Sequence, residues 1–349
     1  MKVLHLLTSN RYSGAENVAI TIIKVTHNDY QSLYVSPKGD IESNCIQNNI
    51  PYKGIEKFTI NNIRKVIKEF KPDIIHAHDF RATTKCVLTF TKIPIISHLH
   101  NNPPWIQKLN FNSIIYAVVA LKCKKILGVS DAIRKEYIFS KLIESKWNMI
   151  SNPFDSGRVI EMSTQGNADI EDRNIDLVFL GRLTEQKDPF RFIEIVEMIK
   201  YQNPNIRCIM IGDGVLRKRC EQLIQNKGLS ENIKCIGFLD NPFYIMKSAK
   251  LFVMPSKWEG YGLGALEAMT LGLPVLATPV GGLKNIVNSK SGLLCSTNEA
   301  FVEEILYLLE NNEIRQSKSL AARQRVREIV NIKEYKQKLD GIYKEVIEE

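Results

Sequence analysis

Residues 2–7 form a short apolar run that ends in a polar turn closing on Gly14, and residues 15–25 then place apolar side chains at helical spacing. The chain therefore opens as strand, turn, helix. Residues 175–180, a loop over 181–189 and an amphipathic stretch over 190–200 repeat that design. Further apolar runs at 74–77, 94–98, 126–129, 206–211, 251–254 and 274–277 read as buried strands, with spacings long enough for crossover helices. The pattern predicts an α/β protein of two Rossmann-like, doubly wound parallel sheets. Turn chemistry at Asn152-Pro-Phe-Asp-Ser-Gly157 and a polar stretch without apolar period over 163–174 mark the joint. The expected domains are 1–165 and 166–330, with a helix over 331–349 packing back onto the first. Open α/β sheets bind ligands beyond the carboxyl ends of their strands, so two such sheets are expected to face each other across a cleft.

Composition supports a folded, two-domain reading. The 349 residues are 44% hydrophobic and 24% charged, close to the globular average. No apolar run reaches the ~18 residues of a membrane span, and the longest candidate, 113–121, is cut off by Lys122. Residues 1–7 pass straight into a polar turn, unlike a signal peptide, so the cytoplasm is the expected location. The seven cysteines are scattered and never spaced C-x-x-C, which favours reduced core thiols. The net charge of +9 changes the picture once it is divided: residues 1–165 hold 22 Lys and Arg against 13 Asp and Glu, and the remainder is balanced. A basic first half would suit nucleic acid, an anionic membrane or a phosphorylated substrate.

Residues 254–269 carry the candidate chemistry. Gly260, Gly262 and Gly264 sit between a strand and a helix, where the backbone can approach a ligand and the helix N-terminus presents free N–H groups. Glu259 and Glu267 flank this phosphate cradle and can accept hydrogen bonds from hydroxyls on either side. A nucleotide-sugar has the matching order of sugar, diphosphate and ribose. A tight turn with two solvated glutamates is the plain alternative.

Glu259 and Glu267, set in Pro-Ser-x-x-Glu-Gly-Tyr-Gly and followed by Glu-Ala-Met-x-x-Gly-Leu-Pro-Val and Gly281-Gly282, resemble the signature of glycosyltransferase family 4, retaining enzymes of the GT-B fold. The resemblance continues through Ser13-Gly-Ala-Glu16, Pro72-Asp-Ile-Ile-His-Ala-His78, Gly128-Val-Ser-Asp131, Ser151-Asn152, Gly181-Arg-Leu-x-x-x-Lys187 and Ile211-Gly-Asp-Gly214. It implies that Glu259 contacts hydroxyls of the donor sugar, that Glu267 holds the ribose, and that Arg182 and Lys187 hold the diphosphate. Fixed positive charge on the loop after a strand suits a departing nucleoside diphosphate. The resemblance also implies a donor-binding set of Gly14, Gly212, Gly237, Phe238, Gly260, Tyr261, Gly262 and Leu263. Ser13, Tyr261 and Pro153 depart mildly from the usual pattern. His100 stands where the family places a histidine facing the donor and is the catalytic candidate, with His98 two residues earlier as its competitor. His76 and His78 share the spacing of a metal pair, but no acidic or cysteine ligand accompanies them, and hydrogen-bonded strand-end residues are the simpler reading. The absence of Asp-x-Asp from the sequence leads us to expect neither metal nor other cofactor.

For the acceptor, residues 103–125 combine Trp105, Phe111 and an apolar stretch with Lys108, Lys122, Lys124 and Lys125. Such a segment could rest on an anionic membrane and meet a lipid-linked acceptor, or be a core helix with a lysine-capped end. The expected activity is transfer of a hexose from a nucleotide-sugar, with UDP favoured, to a polysaccharide or lipid-linked glycan precursor. The rivals are a nucleotide-sugar epimerase or phosphorylase, a silent nucleotide-sugar or membrane-binding protein, and a nucleic-acid binder. The last lacks its aromatic-plus-basic modules.

Overall fold

The structure, a computed structural model, describes residues 1–166 and 174–348. Part of the expected joint, 167–173, lies outside the described residues. The chain divides into two compact units, Met1–Phe154 with Asn331–Glu349, and Asp155–Val330.

In the first unit, β1 Lys2–Leu6, β2 Gln31–Pro37, β3 Tyr52–Ile55, β4 Ile74–His78, β5 Ile95–Leu99, β6 Lys125–Gly128 and β7 Trp147–Met149 form a parallel sheet in the order β3-β2-β1-β4-β5-β6-β7. The central strands β4 and β5 are buried throughout, as continuous apolar runs predict for a parallel sheet covered on both faces. The second unit repeats the plan with β8 Ile175–Leu180, β9 Cys208–Ile211, β10 Ile233–Gly237, β11 Ala249–Met254, β12 Val275–Ala277 and β13 Gly292–Leu294 in the order β10-β9-β8-β11-β12-β13. In both sheets the chain reverses direction beside the first strand, so the switch points lie between β1 and β4 and between β8 and β11. These are the crevices where such folds bind ligands. The helix Pro189–Lys200 buries Phe192, Ile193, Ile195, Val196 and Ile199 against a core containing Phe179, Leu251 and Phe301.

Three expectations need correction. The division falls after Phe154, not after residue 165, because the helix Ser156–Met162 buries Val159 and packs on the helices Phe243–Lys247 and Leu263–Thr270. Asn241 secures it by donating from Nδ2 to the carbonyls of Met162 and Gln165, at 2.8 and 2.7 Å. Five strands, β2, β3, β7, β10 and β13, lack the continuous apolar run that the pattern requires; the last four are sheet edges with half-exposed residues. Lys125, grouped with the exposed lysines, is buried in β6 and paired with Glu345.

The helix Ile332–Glu348 does return to the first unit. Its Tyr343 hydroxyl meets His76 Nδ1 at 2.7 Å, Asp340 accepts from Tyr30 at 2.9 Å, and Lys336 pairs with Asp29 at 2.7 Å. All seven cysteines are free thiols.

Candidate functional site

In the second unit, loops at the carboxyl ends of β8, β9, β10 and β11 are drawn together by their glycines. A Cβ on Gly212, whose φ is +135°, would lie 2.0 Å from the Gly181 carbonyl oxygen. Gly212 N–H donates to Gly237, and Gly181 N–H donates to Ile211. On the other side of the switch point, Gly281 at φ +50° backs onto the Glu259 carbonyl so closely that a Cβ would stand 1.6 Å from its oxygen. Gly262, at φ +104°, caps the helix Leu263–Thr270. Gly264, by contrast, has ordinary room for a methyl group and is not required by any close approach among the described residues.

Across this switch point, Lys187 Nζ lies 2.5 Å from Glu259 Oε1, with side-chain exposures of 18% and 7%. A carboxylate so far removed from water needs a partner, and Lys187 supplies it. Gln186 locks the same two loops: its carbonyl accepts from Lys257 N–H, and its Nε2 donates to the Trp258 carbonyl. Arg182 is exposed and makes no ion pair or side-chain hydrogen bond among the described residues, so its guanidinium is available to a ligand. Glu267 lies one turn into the helix and is only partly exposed; burial pushes its carboxyl up to about 7, while the charges of Lys187 and Arg158 pull it down. Tyr261 is half-buried, Leu263 opens the helix, and Phe238 is exposed beside Gly237. The structure thus gathers on one strand-end rim the residues expected at the diphosphate, sugar and ribose. Two cations and a helix N-terminus suit an anion, and two carboxylates suit hydroxyls.

In the first unit, Gly14 starts the helix Gly14–Thr26 behind β1, and its N-cap Ser13 donates to Glu16. Asp79, beyond β4, was not singled out by its sequence. It adopts φ +100° and ψ 166°, a region nearly reserved for glycine, and stays there because its carboxylate accepts from Ala82 N–H and Thr8 Oγ1, each at 2.7 Å. The Ala82 bond caps the helix Phe80–Val87, and the Thr8 bond ties the β1 loop to the β4 loop at the switch point.

His98 and His100 do not stand alone. Strand alternation puts His76 and His78, and likewise His98 and His100, on one face of the sheet, and register sets His5 beside His76 and His78 beside His98. The rings of His76 and His78 stack 4.3 Å apart, and those of His98 and His100 lie 4.1 Å apart. His98 is fully buried and hydrogen-bonded to His76, whereas His100 is partly exposed, so His100 is the accessible member of the pair. Burial lowers His5 to about 3 and His100 to about 4, and carries the other three well below the usual value; the cluster is neutral near pH 7. Two overlapping triads, His5 with His76 and His78, and His78 with His98 and His100, bring ring nitrogens within 4.8 Å of one another.

Residues 14–158 match the profile of Glycosyltransferase Family 4, and residues 164–325 that of Glycosyl transferases group 1. MJ1178, an uncharacterized glycosyltransferase of Methanocaldococcus jannaschii, is 30% identical over 294 residues, covering 78% of each chain. CapH, a capsular polysaccharide biosynthesis glycosyltransferase of Staphylococcus aureus, is 24% identical, covering 77% of this chain and 78% of its own. Among solved structures, Anabaena HepE in complex with UDP and glucose has the same fold, with a TM-score of 0.89 at 20% identity over 99% of this chain and 100% of its own. With both halves matched in order and each built on a Rossmann-type sheet, the chain belongs to the group 1, family 4 glycosyltransferases of GT-B fold and is an enzyme of that class.

Proposed function

We propose that this glycosyltransferase moves a hexose from a UDP-sugar to a polysaccharide or lipid-linked glycan precursor, with retention and without a metal ion. The observation that carries the donor reading is the Lys187–Glu259 pair beside the unengaged Arg182 at the β8/β11 switch point. In the free protein Lys187 neutralises Glu259; with donor bound, Lys187 and Arg182 meet the diphosphate and Glu259 turns to sugar hydroxyls. Negative charge grows on the departing diphosphate, where two fixed cations are worth most. Glu267 accepts from the ribose. Retention follows from front-face attack, with the leaving phosphate taking the proton of the acceptor hydroxyl. UDP is supported by the complex of HepE with UDP and glucose, and a polysaccharide product by the name of CapH.

The acceptor is met at an anionic membrane through the helix Phe111–Lys122. The helix buries Ser113, Tyr116, Ala117, Val119 and Ala120. It turns Phe111, Ile114, Val118 and Leu121 outwards along one stripe, with Phe111 77% and Val118 61% exposed. Leu142 extends the stripe from the adjacent helix Ser140–Ile143, and Lys108, Lys122 and Lys141 are exposed in the same segments. An apolar face flanked by lysines suits the interface of an anionic bilayer. Trp105 is no part of this face; it packs edge-on against Phe80. No helix among the described residues is long and apolar enough to cross a membrane.

The test is incubation with UDP-, GDP- and TDP-hexoses, reading released nucleotide and the anomeric configuration of the product. Release of UDP with retained configuration is expected. Inversion would remove the front-face step, and exclusive use of another nucleotide would remove UDP.

A further inference from the structure

Five of the six histidines in the sequence lie in one buried cluster; the sixth, His27, is exposed. Their contacts resolve into two strings. His5 Nδ1 meets His78 Nε2 at 3.0 Å, and His78 Nδ1 meets His100 Nε2 at 2.9 Å. Separately, the Tyr343 hydroxyl meets His76 Nδ1, and His76 Nε2 meets His98 Nδ1 at 3.0 Å.

The first string has a proton count that restricts it. Three neutral imidazoles carry one N–H each, and each of the two inter-ring contacts uses one. The third proton must sit at an end, on His5 Nε2 or on His100 Nδ1, and all three rings must then share one tautomeric sense. Both end atoms are buried without another partner among the described residues, and so is Asn152 Oδ1. Asn152 is also the side chain that favours the protonated His100 ring, against the lowering by burial. A proton on His100 Nδ1 gives Asn152 Oδ1 its donor and satisfies two buried atoms together.

We propose that Asn152 sets the direction of the string, so that His5 donates from Nδ1 to His78, His78 donates from Nδ1 to His100, and His100 is held as the Nδ1–H tautomer. His78 and Asn152 are thereby positioning residues for His100. With Nε2 occupied by the His78 proton and Nδ1 protonated, His100 has no free lone pair. Both ring nitrogens are then engaged, Nε2 by His78 and Nδ1–H by Asn152, so His100 cannot remove a proton from a hydroxyl. The last statement rests on the reading of His100 as a residue of the sugar-transfer site; the tautomer does not. The burial that lowers all five rings keeps them neutral near pH 7, as the count requires.

The experiment is long-range proton–nitrogen correlation NMR on the full chain labelled with ¹⁵N-histidine, the six rings being assigned by single replacements. His5, His78 and His100 are expected as pure Nδ1–H tautomers at pH 7.5. An Nε2–H His100 in the wild type would overturn the proposal, since the Asn152 amide would then present its NH₂ to the ring. Stoichiometric zinc in the purified protein would overturn it too, because a coordinated ring nitrogen has no proton to donate. Asn152→Leu, which removes the acceptor at His100 Nδ1, should let the string populate both senses and bring up an Nε2–H signal for His100; a string that stays purely Nδ1–H would overturn the role given to Asn152. Asn152→Asp, whose carboxylate can only accept, should keep the pure Nδ1–H signal. If the wild type shows the expected tautomers but transfers no sugar, the functional reading fails and the string stands; transfer by a protein with Nε2–H His100 gives the converse.

Discussion

Replacing Glu267 by Gln should make this protein more stable and a poorer enzyme, and the gain in stability should appear only as the pH rises. Burial lifts the Glu267 carboxyl from 4.5 to about 7, against the pull of Lys187 and Arg158. Between those values the native state keeps the proton while the unfolded chain has lost it, so unfolding releases a proton and stability falls as the pH rises through the window. Once Glu267 is ionised in both states, above about pH 8, the accumulated cost has a ceiling of about 3 kcal/mol. The side chain keeps some contact with water, which brings the expected value below that ceiling. Glutamine has the same shape and no charge to bury. In a unit of this size about 1 kcal/mol moves the melting temperature by roughly 2–4 °C. Thermal melts of the two proteins followed by circular dichroism at pH 5, 6, 7 and 8.5 should therefore open a gap of several degrees in favour of Glu267→Gln. A gap that stays constant with pH would refute the raised pKa. The same variant should show a higher donor KM with kcat largely kept, because ribose contacts act alike in the ground and transition states.

Arg182→Ala and Lys187→Ala should each cost ~2–4 kcal/mol of transition-state stabilisation in kcat/KM, measured by nucleotide release, and wild-type activity in the double variant would remove the diphosphate assignment. Activity should survive excess EDTA; complete loss restored by Mn²⁺ or Mg²⁺ would show that a metal takes part. Val118→Asp should leave the melting temperature within a degree or so of wild type, because that side chain faces outwards, and should abolish flotation with phosphatidylglycerol vesicles at low salt. Asp79→Gly should be tolerated better than Asp79→Ala in urea titrations, since glycine relieves a backbone strain of about 1–3 kcal/mol that alanine keeps while losing the same cap.

The central strands were legible because a strand buried on both faces is a continuous apolar run. β4 and β5 meet that condition. β2 is interrupted by Ser32 and Ser36, and the edge strands bury too few positions to leave a local pattern. The unit boundary was misplaced for a different reason: Ser156–Met162 is held to the second unit by Asn241, more than 75 residues away, and its own sequence buries only Val159. The site shows the same split. The turn glycines and the two glutamates could be read from spacing and family resemblance, but the Lys187–Glu259 pairing joins residues 72 apart. Lys125 reads as one lysine of a surface run until Glu345, 220 residues later, covers it. The histidines were visible as pairs along β4 and β5; only the sheet register adds His5, and only the return helix adds Tyr343.

The second unit is an insertion within the first, since Asn331–Glu349 completes the body that Met1–Phe154 begins. During synthesis the amino-terminal sheet must therefore wait for the whole of Asp155–Val330 to be translated before Tyr343 can reach His76 and Glu345 can cover Lys125. Until then β4 has an imidazole without its hydroxyl partner, and β6 a buried ammonium without its carboxylate. The nascent amino-terminal body should be soft until its closing helix arrives, and severing the chain near Val330 should damage the sheet farther from the cut in sequence more than the unit that ends there.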